Sequence, residues 1–179
     1  MTERSLFANA LLGLLCAGPA HGYDLALRFQ PDGDLGTVGF LGRSQVYALL
    51  KHLEARGLAT SHLELGSGGP ARRVYEATPA GRERFLAWAR EPVGSVRGLR
   101  VEFPLKLYLV ERLGLPFRDE LVRRQEDLLR ERLAEVREQG RGARGVGLWV
   151  RDLRERLLEA GLGWLAERRA GGEPGGEAS

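Results

Sequence analysis

Residues 43–52 carry side chains suited to hydrogen-bonding with nucleic-acid bases. They include cations, an amide and hydroxyl groups, and they contain no carboxylate. Arginine can donate two hydrogen bonds to guanine, and glutamine can pair with adenine in a similar way. The candidate side chains are Arg43, Ser44, Gln45, Tyr47 and Lys51. A solvated helix face of mixed polar residues explains this segment equally well when it is considered alone.

Residues 65–75 form a second segment without carboxylates. It contains a glycine-rich stretch, residues 66–70, which is followed by Arg72 and Arg73. Glycine allows a backbone to approach a ligand closely, and arginine can bind phosphates or enter a narrow minor groove of DNA. A flexible hairpin without a ligand is the alternative for this segment alone. Two such basic surfaces favour nucleic-acid binding more strongly than either one does.

Catalytic and metal-binding chemistry has no matching pattern in the sequence. His21, His52 and His62 lack the cysteine clusters or HExxH spacing of zinc sites. The sequence has no GxSxG, P-loop or dinucleotide-binding fingerprint. The single cysteine, Cys16, lies in an apolar run and is expected to serve in packing. We therefore expect no enzyme activity, no metal and no cofactor.

The spacing of apolar residues predicts a helix over residues 43–56 that positions the first segment. Its apolar side chains follow the i, i+3, i+4, i+7 pattern of a helix with one buried face. These side chains are Val46, Leu49, Leu50 and Leu53. Gly57 is well placed to end this helix. The free face then carries Arg43, Ser44 and Gln45 in its first turn, where unpaired N–H groups could also bind a phosphate.

The remaining elements complete a recognisable order. Further helices are predicted over residues 6–16, 21–29, 79–90, 100–113, 117–139 and 148–168, and strands over residues 58–65 and 72–77. Ser5 and Thr78 are the expected N-caps of two of these helices, and residues 31–42 predict a loop. Three helices and a hairpin predict a mainly α fold, with an amino-terminal winged helix-turn-helix domain, a β-hairpin wing and an all-helical dimerisation domain.

A break rich in glycine, proline and serine predicts the domain boundaries. We expect a winged-helix DNA-binding domain over residues 1–91, a linker over residues 92–99 and a helical dimerisation and effector domain over residues 100–169. Residues 170–179 are predicted to be a disordered tail. One face of the last helix carries the apolar side chains Trp149, Leu153, Leu157, Ala160 and Trp164. Such a face needs a partner surface, which predicts a homodimer.

The composition is that of a globular protein in a reducing compartment. Of the 179 residues, 43% are hydrophobic and 28% are charged, and the formal net charge is +3. A charge of this size does not by itself indicate nucleic-acid binding, so the placement of the cations decides the matter. No apolar run approaches the ~18 residues of a membrane span, and no export signal is recognised. The expected location is the cytoplasm, and no membrane partner is expected.

Three stretches resemble the amino-terminal domain of the PadR family of transcriptional regulators. They are ALLGLLCAGPAHGYDL, GRSQVYALLKHLEARGL and GGPARRVYEATPAGRERFLAW. A fourth stretch, RVEFPLKLYLVERLG, is similar to the start of the carboxy-terminal domain in the larger PadR-like subgroup. The resemblance implies a homodimer that usually represses transcription. Two recognition helices, one from each chain of the dimer and related by a two-fold axis, predict an inverted-repeat operator in double-stranded DNA. The alternative is a winged-helix module that binds a protein instead of DNA.

The resemblance also assigns roles to single residues. Tyr47 matches the family's tyrosine on the recognition helix, which implies a phosphate or base contact; a half-buried tyrosine beside the wing is the alternative. Gly22 and Tyr23 match an HGY element and are interpreted as structural, with a phosphate contact from His21 or the helix start as the alternative. Gly42 stands where the family often has serine, so weaker capping is expected.

Three tryptophans mark the expected site of an effector. Trp88, Trp149 and Trp164 could stack against a small aromatic or hydrophobic molecule, or they could serve only in packing. An effector that loosens DNA binding is expected near the junction between the winged helix and the dimer helices. The loop at residues 31–41 has no clear counterpart in the family, and the sequence assigns it no role.

Overall fold

The computed structural model describes residues 3–64, 72–142 and 144–169. Its elements, in chain order, are α1 (Glu3–Cys16), β1 (Ala20–His21), α2 (Gly22–Leu27), α3 (Arg43–Ala55), β2 (Ala59–Glu64), β3 (Arg72–Ala77), α4 (Pro79–Arg90), α5 (Val96–Arg112), α6 (Arg118–Gln139) and α7 (Val146–Arg169), with a 3-10 turn at Gly140–Gly142. None of the helices in this part of the chain is long and apolar enough to cross a membrane.

The chain divides into two compact units. The first comprises Met1–Glu91 and Pro104–Leu115, and the second comprises Pro92–Phe103 and Pro116–Ser179. Helix α5 begins at Val96, inside the segment 92–99 that the sequence predicts to be a linker. Ser95 caps this earlier start, because its hydroxyl oxygen accepts a hydrogen bond of 3.0 Å from the Gly98 N–H. The predicted domain boundaries stay a prediction, and the predicted hairpin tip and tail lie outside the described residues.

The first unit has a winged-helix fold. Helices α1, α2 and α3 pack together, and the β2–β3 hairpin follows α3. Helix α3 confirms the predicted pattern, because its four apolar residues Val46, Leu49, Leu50 and Leu53 are buried. It ends at Ala55, one residue earlier than predicted, and Gly57 follows the C-cap with a φ of +66°, a backbone conformation that favours glycine. Cys16 is buried at the end of α1, and burial raises the pKa of its thiol, in keeping with a packing role.

The wing belongs to a three-stranded antiparallel sheet with the order β1-β3-β2. Strand β3 occupies the predicted residues, whereas β2 begins at Ala59, one residue later than predicted, and its predicted last residue lies outside the described residues. Strand β1 was not expected from the sequence, because two residues are too few to show the alternation of a strand. It pairs Ala20 with Tyr75 and His21 with Val74, and so anchors the wing beside the start of α2.

Some helix ends agree with the predictions, whereas others differ, among them the starts of α1, α5 and α7 and the end of α2. Thr78 is confirmed as the N-cap of α4, since its hydroxyl oxygen accepts a hydrogen bond of 3.1 Å from the Gly81 N–H. The prediction for Ser5 is wrong, because α1 begins at Glu3 and Ser5 lies inside the helix. Glutamate is favourable in a first helical turn, so the helix extends ahead of the serine. Helix α2 ends at Leu27, two residues earlier than expected, where the chain turns into the loop.

The second unit is built on the antiparallel pair α6 and α7. Arg118, at the start of α6, donates to the backbone oxygen of Arg168 near the end of α7. At the other end, Arg137 of α6 binds Glu155 and Glu159 of α7. The buried amide of Gln125 accepts one hydrogen bond and donates another within this unit. Its oxygen accepts from the Val93 N–H at 2.6 Å, and its nitrogen donates to the Val93 carbonyl at 3.0 Å.

Candidate nucleic-acid interface

Helix α3 presents all five predicted candidate side chains on its exposed surface. They are Arg43, Ser44, Gln45, Tyr47 and Lys51. Arg43, Tyr47 and Lys51 are spaced four residues apart and therefore form one row along the helix. Gln45 lies at the edge of the exposed face, one turn before the buried Leu49.

The Gln45 side chain is already engaged at the start of α3. Its Oε1 atom accepts a hydrogen bond of 2.9 Å from the Gly42 N–H. In a capping box, the side chain of the third helical residue accepts from the N-cap N–H, as Gln45 does here. The reciprocal bond needs an N-cap side chain, which Gly42 lacks. The sequence predicts weak capping at Gly42, and the side chain of Gln45 strengthens this cap. Gln45 must release this bond, or use its amide nitrogen alone, in order to read a base.

Arg43 lies against an aromatic ring of the neighbouring helix. Its guanidinium carbon is 4.8 Å from the centre of the Tyr23 ring, which is within the range of a cation–π contact. Tyr23 is the second residue of α2, and 46% of its surface is exposed. The sequence interpretation treats Tyr23 as structural and does not connect it with Arg43, because twenty residues of loop and helix separate them.

Tyr47 is partly exposed and partly packed, so it has features of both alternatives that the sequence offers for it. It is exposed at its outer side, while its ring packs on the backbone of Gly22. A Cβ atom at Gly22 would overlap the Tyr47 ring and also approach the Tyr75 ring. Gly22 is therefore required where α2 passes under α3, which supports its structural interpretation. The phosphate or base contact of the Tyr47 hydroxyl stays a prediction.

The two predicted wing arginines are exposed at the start of β3, in different surroundings. Nη1 of Arg73 donates to the Ser61 hydroxyl at 2.8 Å, and that hydroxyl donates to Oε1 of Glu54 at 2.5 Å. The chain of bonds ties Arg73 to the last turns of α3. Arg72 pairs in register with Glu64 on β2. The two arginines thus lie near the acids Glu54 and Glu64.

The family comparison agrees with this architecture. The family model of the transcriptional regulator PadR-like family matches residues 11–87. This winged-helix domain belongs to the PadR-like family. The match begins inside α1 and covers α2, α3, the wing and most of α4, so it confirms the family resemblance of the sequence. No curated protein matches the chain significantly.

Several solved structures are similar to the chain. Bacillus subtilis PadR in complex with operator DNA has 22% identity and a TM-score of 0.47, over 92% of this chain and 96% of that one. The same protein with p-coumaric acid has 21% identity and a TM-score of 0.42, over 95% and 97% of the two chains. A PadR-like transcriptional regulator of Bacillus cereus has 21% identity and a TM-score of 0.41, over 92% and 94%.

The loop between α2 and α3 of the PadR-like domain is held by a cluster that the sequence does not predict. Arg28 binds the carboxylate of Asp34 and donates to the Tyr108 hydroxyl at 2.8 Å. Burial alone would raise the pKa of Asp34, but the hydrogen bonds from Arg28 and Tyr108 and the charge of Arg28 hold this pKa below its ordinary value. Asp34 and Tyr108 are too distant in sequence for spacing to reveal the contact.

The three tryptophans lie in different surroundings. In the first unit, Trp88 is buried against Phe85, and the Lys106 ammonium lies 5.0 Å from its ring centre. In the second unit, Trp164 packs edge-on against Phe103 at 6.2 Å, whereas Trp149 is 80% exposed. Trp149 and Trp164 are separated by roughly 22 Å along α7, at ~1.5 Å per residue. One chain therefore does not bring these two rings together, and the predicted effector site stays a prediction.

Proposed function

We propose that the protein is a DNA-binding transcriptional regulator that binds an inverted-repeat operator as a homodimer and represses transcription. The observation that carries the proposal is the exposed row of α3, in which Arg43, Tyr47 and Lys51 face solvent without a carboxylate among them. A winged helix inserts this helix into the major groove, where arginine can identify guanine. Membership of the PadR-like family supports the same function.

Within this proposal the helix and the wing have different tasks. Arg43 and Gln45 in the first turn of α3 discriminate between bases, with Ser44 beside them. Lys51, Arg72 and Arg73 bind phosphates, which holds the domain on any duplex and makes binding sensitive to salt. The exposure of both wing arginines supports this role. The bond from Arg73 to Ser61 orients its guanidinium before a phosphate arrives.

The proposed homodimer rests on an exposed apolar row of α7. Val146 is 79% exposed, Trp149 80% and Leu153 58%, and Val150 and Leu157 continue the row at helical spacing. The sequence places this row on one face with Ala160 and Trp164, but Trp164 packs within its own chain. A row of large apolar side chains in water favours association, and a second copy of α7 would bury it. Two PadR-like domains would then meet half-sites roughly 34–36 Å apart.

We further propose that a small aromatic or hydrophobic effector binds at Trp149. Of the three tryptophans, Trp88 and Trp164 already pack within their own units, and Trp149 presents its ring to solvent. An effector that stacks on Trp149 between the two copies of α7 would favour one spacing of the two recognition helices. Trp149 fluorescence should then respond to the ligand that also changes operator binding.

Selection of bound fragments from genomic or random-sequence DNA tests the proposal directly. The full chain should enrich an inverted repeat, and light scattering of the free protein should give twice the chain mass. Binding isotherms for the enriched duplex and a scrambled duplex should separate specific from general affinity. Enrichment of no sequence, together with no binding to an arbitrary duplex at low salt, would favour the alternative of a winged-helix module that binds another protein.

A further inference from the structure

Two consecutive residues of α2 contact two residues that lie one turn apart on α3. Gly22 lies under the Tyr47 ring, and the Tyr23 ring lies against the Arg43 guanidinium at 4.8 Å. In the first contact, a Cβ atom at residue 22 would lie 2.6 Å from Cε1 of Tyr47, so glycine allows α2 to approach α3 closely. Tyr23 follows Gly22 directly, so the same close approach of the two helices places the Tyr23 ring beside the first residue of α3.

An aromatic partner leaves the hydrogen-bonding edge of arginine unused. The guanidinium group stacks through its face, while its five N–H bonds point outward in its plane. A carboxylate partner would instead occupy two of these donors. Among the described residues, Arg43 forms no ion pair with a carboxylate. The Arg43 side chain is thus restrained without losing the donors that a base would need.

The exposure of Tyr23 separates this contact from ordinary core packing. A tyrosine that only filled the core would be buried, whereas Tyr23 is exposed over 46% of its surface and lies beside the exposed face of α3. A long side chain that is already restrained loses less conformational freedom when it binds. The ring therefore provides what a specific contact requires, which is a defined direction for the guanidinium before DNA arrives.

We propose that Tyr23 is a positioning residue that holds Arg43 by its face, so that the guanidinium edge is presented to O6 and N7 of a guanine in the operator. The inference rests on the proposed function and adds a specificity-determining residue outside the recognition helix. The aromatic ring, and not the hydroxyl group, performs this role.

The test compares Tyr23→Phe, which keeps the ring, with Tyr23→Leu, which removes it. Affinity is measured on the duplex that the wild-type protein selects and on the same duplex with the guanine pair of Arg43 replaced. Tyr23→Phe should preserve discrimination between the two duplexes. Tyr23→Leu should lower it by about two- to five-fold, the size of an exposed cation–π contact. Thermal unfolding of both variants should remain close to that of the wild type, because the side chain is half-exposed.

A double-mutant cycle identifies the residue through which Tyr23 acts. In the Arg43→Ala background, Tyr23→Leu should cause no further loss of discrimination. A loss that persists without Arg43, or a general loss of affinity in Tyr23→Phe on every duplex, would assign Tyr23 to direct DNA contact and overturn the inference. Unchanged discrimination in Tyr23→Leu would also overturn it. Failure of the proposed function looks different, because the wild-type protein itself would then select no duplex.

Discussion

The Tyr108 hydroxyl donates a hydrogen bond of 2.6 Å to Oδ2 of Asp34, although 74 positions separate the two residues. Arg28 binds both groups, so the hydroxyl accepts from the guanidinium and donates to the carboxylate. The loop that carries Asp34 leads to Gly42, the N-cap of α3. The cluster therefore anchors the chain just before the recognition helix, and this gives the loop at residues 31–41 a structural role.

Replacing Asp34 with asparagine should destabilise the protein at neutral pH. The pKa of Asp34 is lower in the folded state than its ordinary value, so the ionised carboxylate stabilises the fold above that ordinary value, and this contribution is lost as the pH falls through the folded pKa. Since the side chain is 40% exposed, we expect a cost of about 1 kcal/mol at pH 7, below the upper range for charged hydrogen bonds. Urea denaturation at pH 7 and at acidic pH measures this loss in the free energy of unfolding.

Asp32→Asn is the matched control, because Asp32 is an exposed acid of the same loop. It should leave the free energy of unfolding nearly unchanged at both pH values. The gap between wild type and Asp34→Asn should close in acid. A gap of constant size from neutral pH to acid would contradict the role of the Asp34 charge.

Replacing Gly22 with alanine should destabilise the first unit by about 1–3 kcal/mol, the usual cost of forcing an extra methyl group into a packed site. The added Cβ would overlap the Tyr47 ring. The cost should be smaller in a Tyr47→Ala background, where the overlapping ring is absent. Denaturation of the two single variants and the double variant gives the coupling energy. Additive costs would show that Tyr47 is not what excludes a side chain at residue 22.

The sequence predicts the helices and the wing of this fold because each is defined by local information. The apolar spacing of Val46, Leu49 and Leu50 is sufficient for α3, and Thr78 followed by a proline is sufficient for the start of α4. Strand β1 is missed because its two residues become a strand only by pairing with β3. The end of α2 is missed because the loop, rather than a local signal, ends the helix.

The candidate interface is predicted in part for the same reason. Exposure of Arg43 and Lys51 follows from helical periodicity, which sequence shows directly. Contacts between elements do not follow from periodicity. The bond from Gly42 to Gln45 lies within the reach of a capping-box pattern, but that pattern normally begins with serine or threonine. The contact between Tyr23 and Arg43 needs the packing angle of two helices, which no local signal contains.

Gln45 should serve both the stability of α3 and the reading of DNA, and two substitutions separate these roles. Gln45→Ala removes the acceptor for the Gly42 N–H and should cost about 0.5 kcal/mol in the free energy of unfolding, at the lower end for a helix cap. Gln45→Glu retains an acceptor and a favourable charge at the helix start, so stability should be kept. Its carboxylate should nevertheless weaken binding to every duplex, as gel shifts at low salt would detect. Equal stability of Gln45→Ala and wild type would contradict the capping role.

Replacing Trp149 with glutamate should convert the proposed homodimer into a monomer. A charge in the middle of the apolar row of α7 would be buried in the dimer and exposed in the monomer, which favours dissociation. Light scattering at micromolar concentration measures the mass. Ala166→Glu is the matched control, since residue 166 is exposed on another side of α7 and should leave the mass unchanged. A wild-type protein with the mass of one chain would contradict the dimer itself.

Arg43→Ala and Arg72→Ala should weaken DNA binding in different ways. Arg43 begins the reading helix, so its loss should cost about 1–3 kcal/mol on the selected duplex and relax the preference at one base pair. Arg72 lies on the wing, so its loss should weaken matched and scrambled duplexes alike and reduce the salt slope by about one. Lys51→Ala should behave like Arg72→Ala, because Lys51 lies two turns beyond the first turn of α3.

Isotherms at several salt concentrations, on matched and scrambled duplexes, distinguish these two patterns. Arg72 is a cleaner probe of the wing than Arg73, because Arg73 also bonds to Ser61 and its removal disturbs the link to Glu54. If Arg72→Ala changed the base preference and left the salt slope intact, the wing would be reading sequence. The division between a reading helix and an anchoring wing would then be wrong, even though both would still contact DNA.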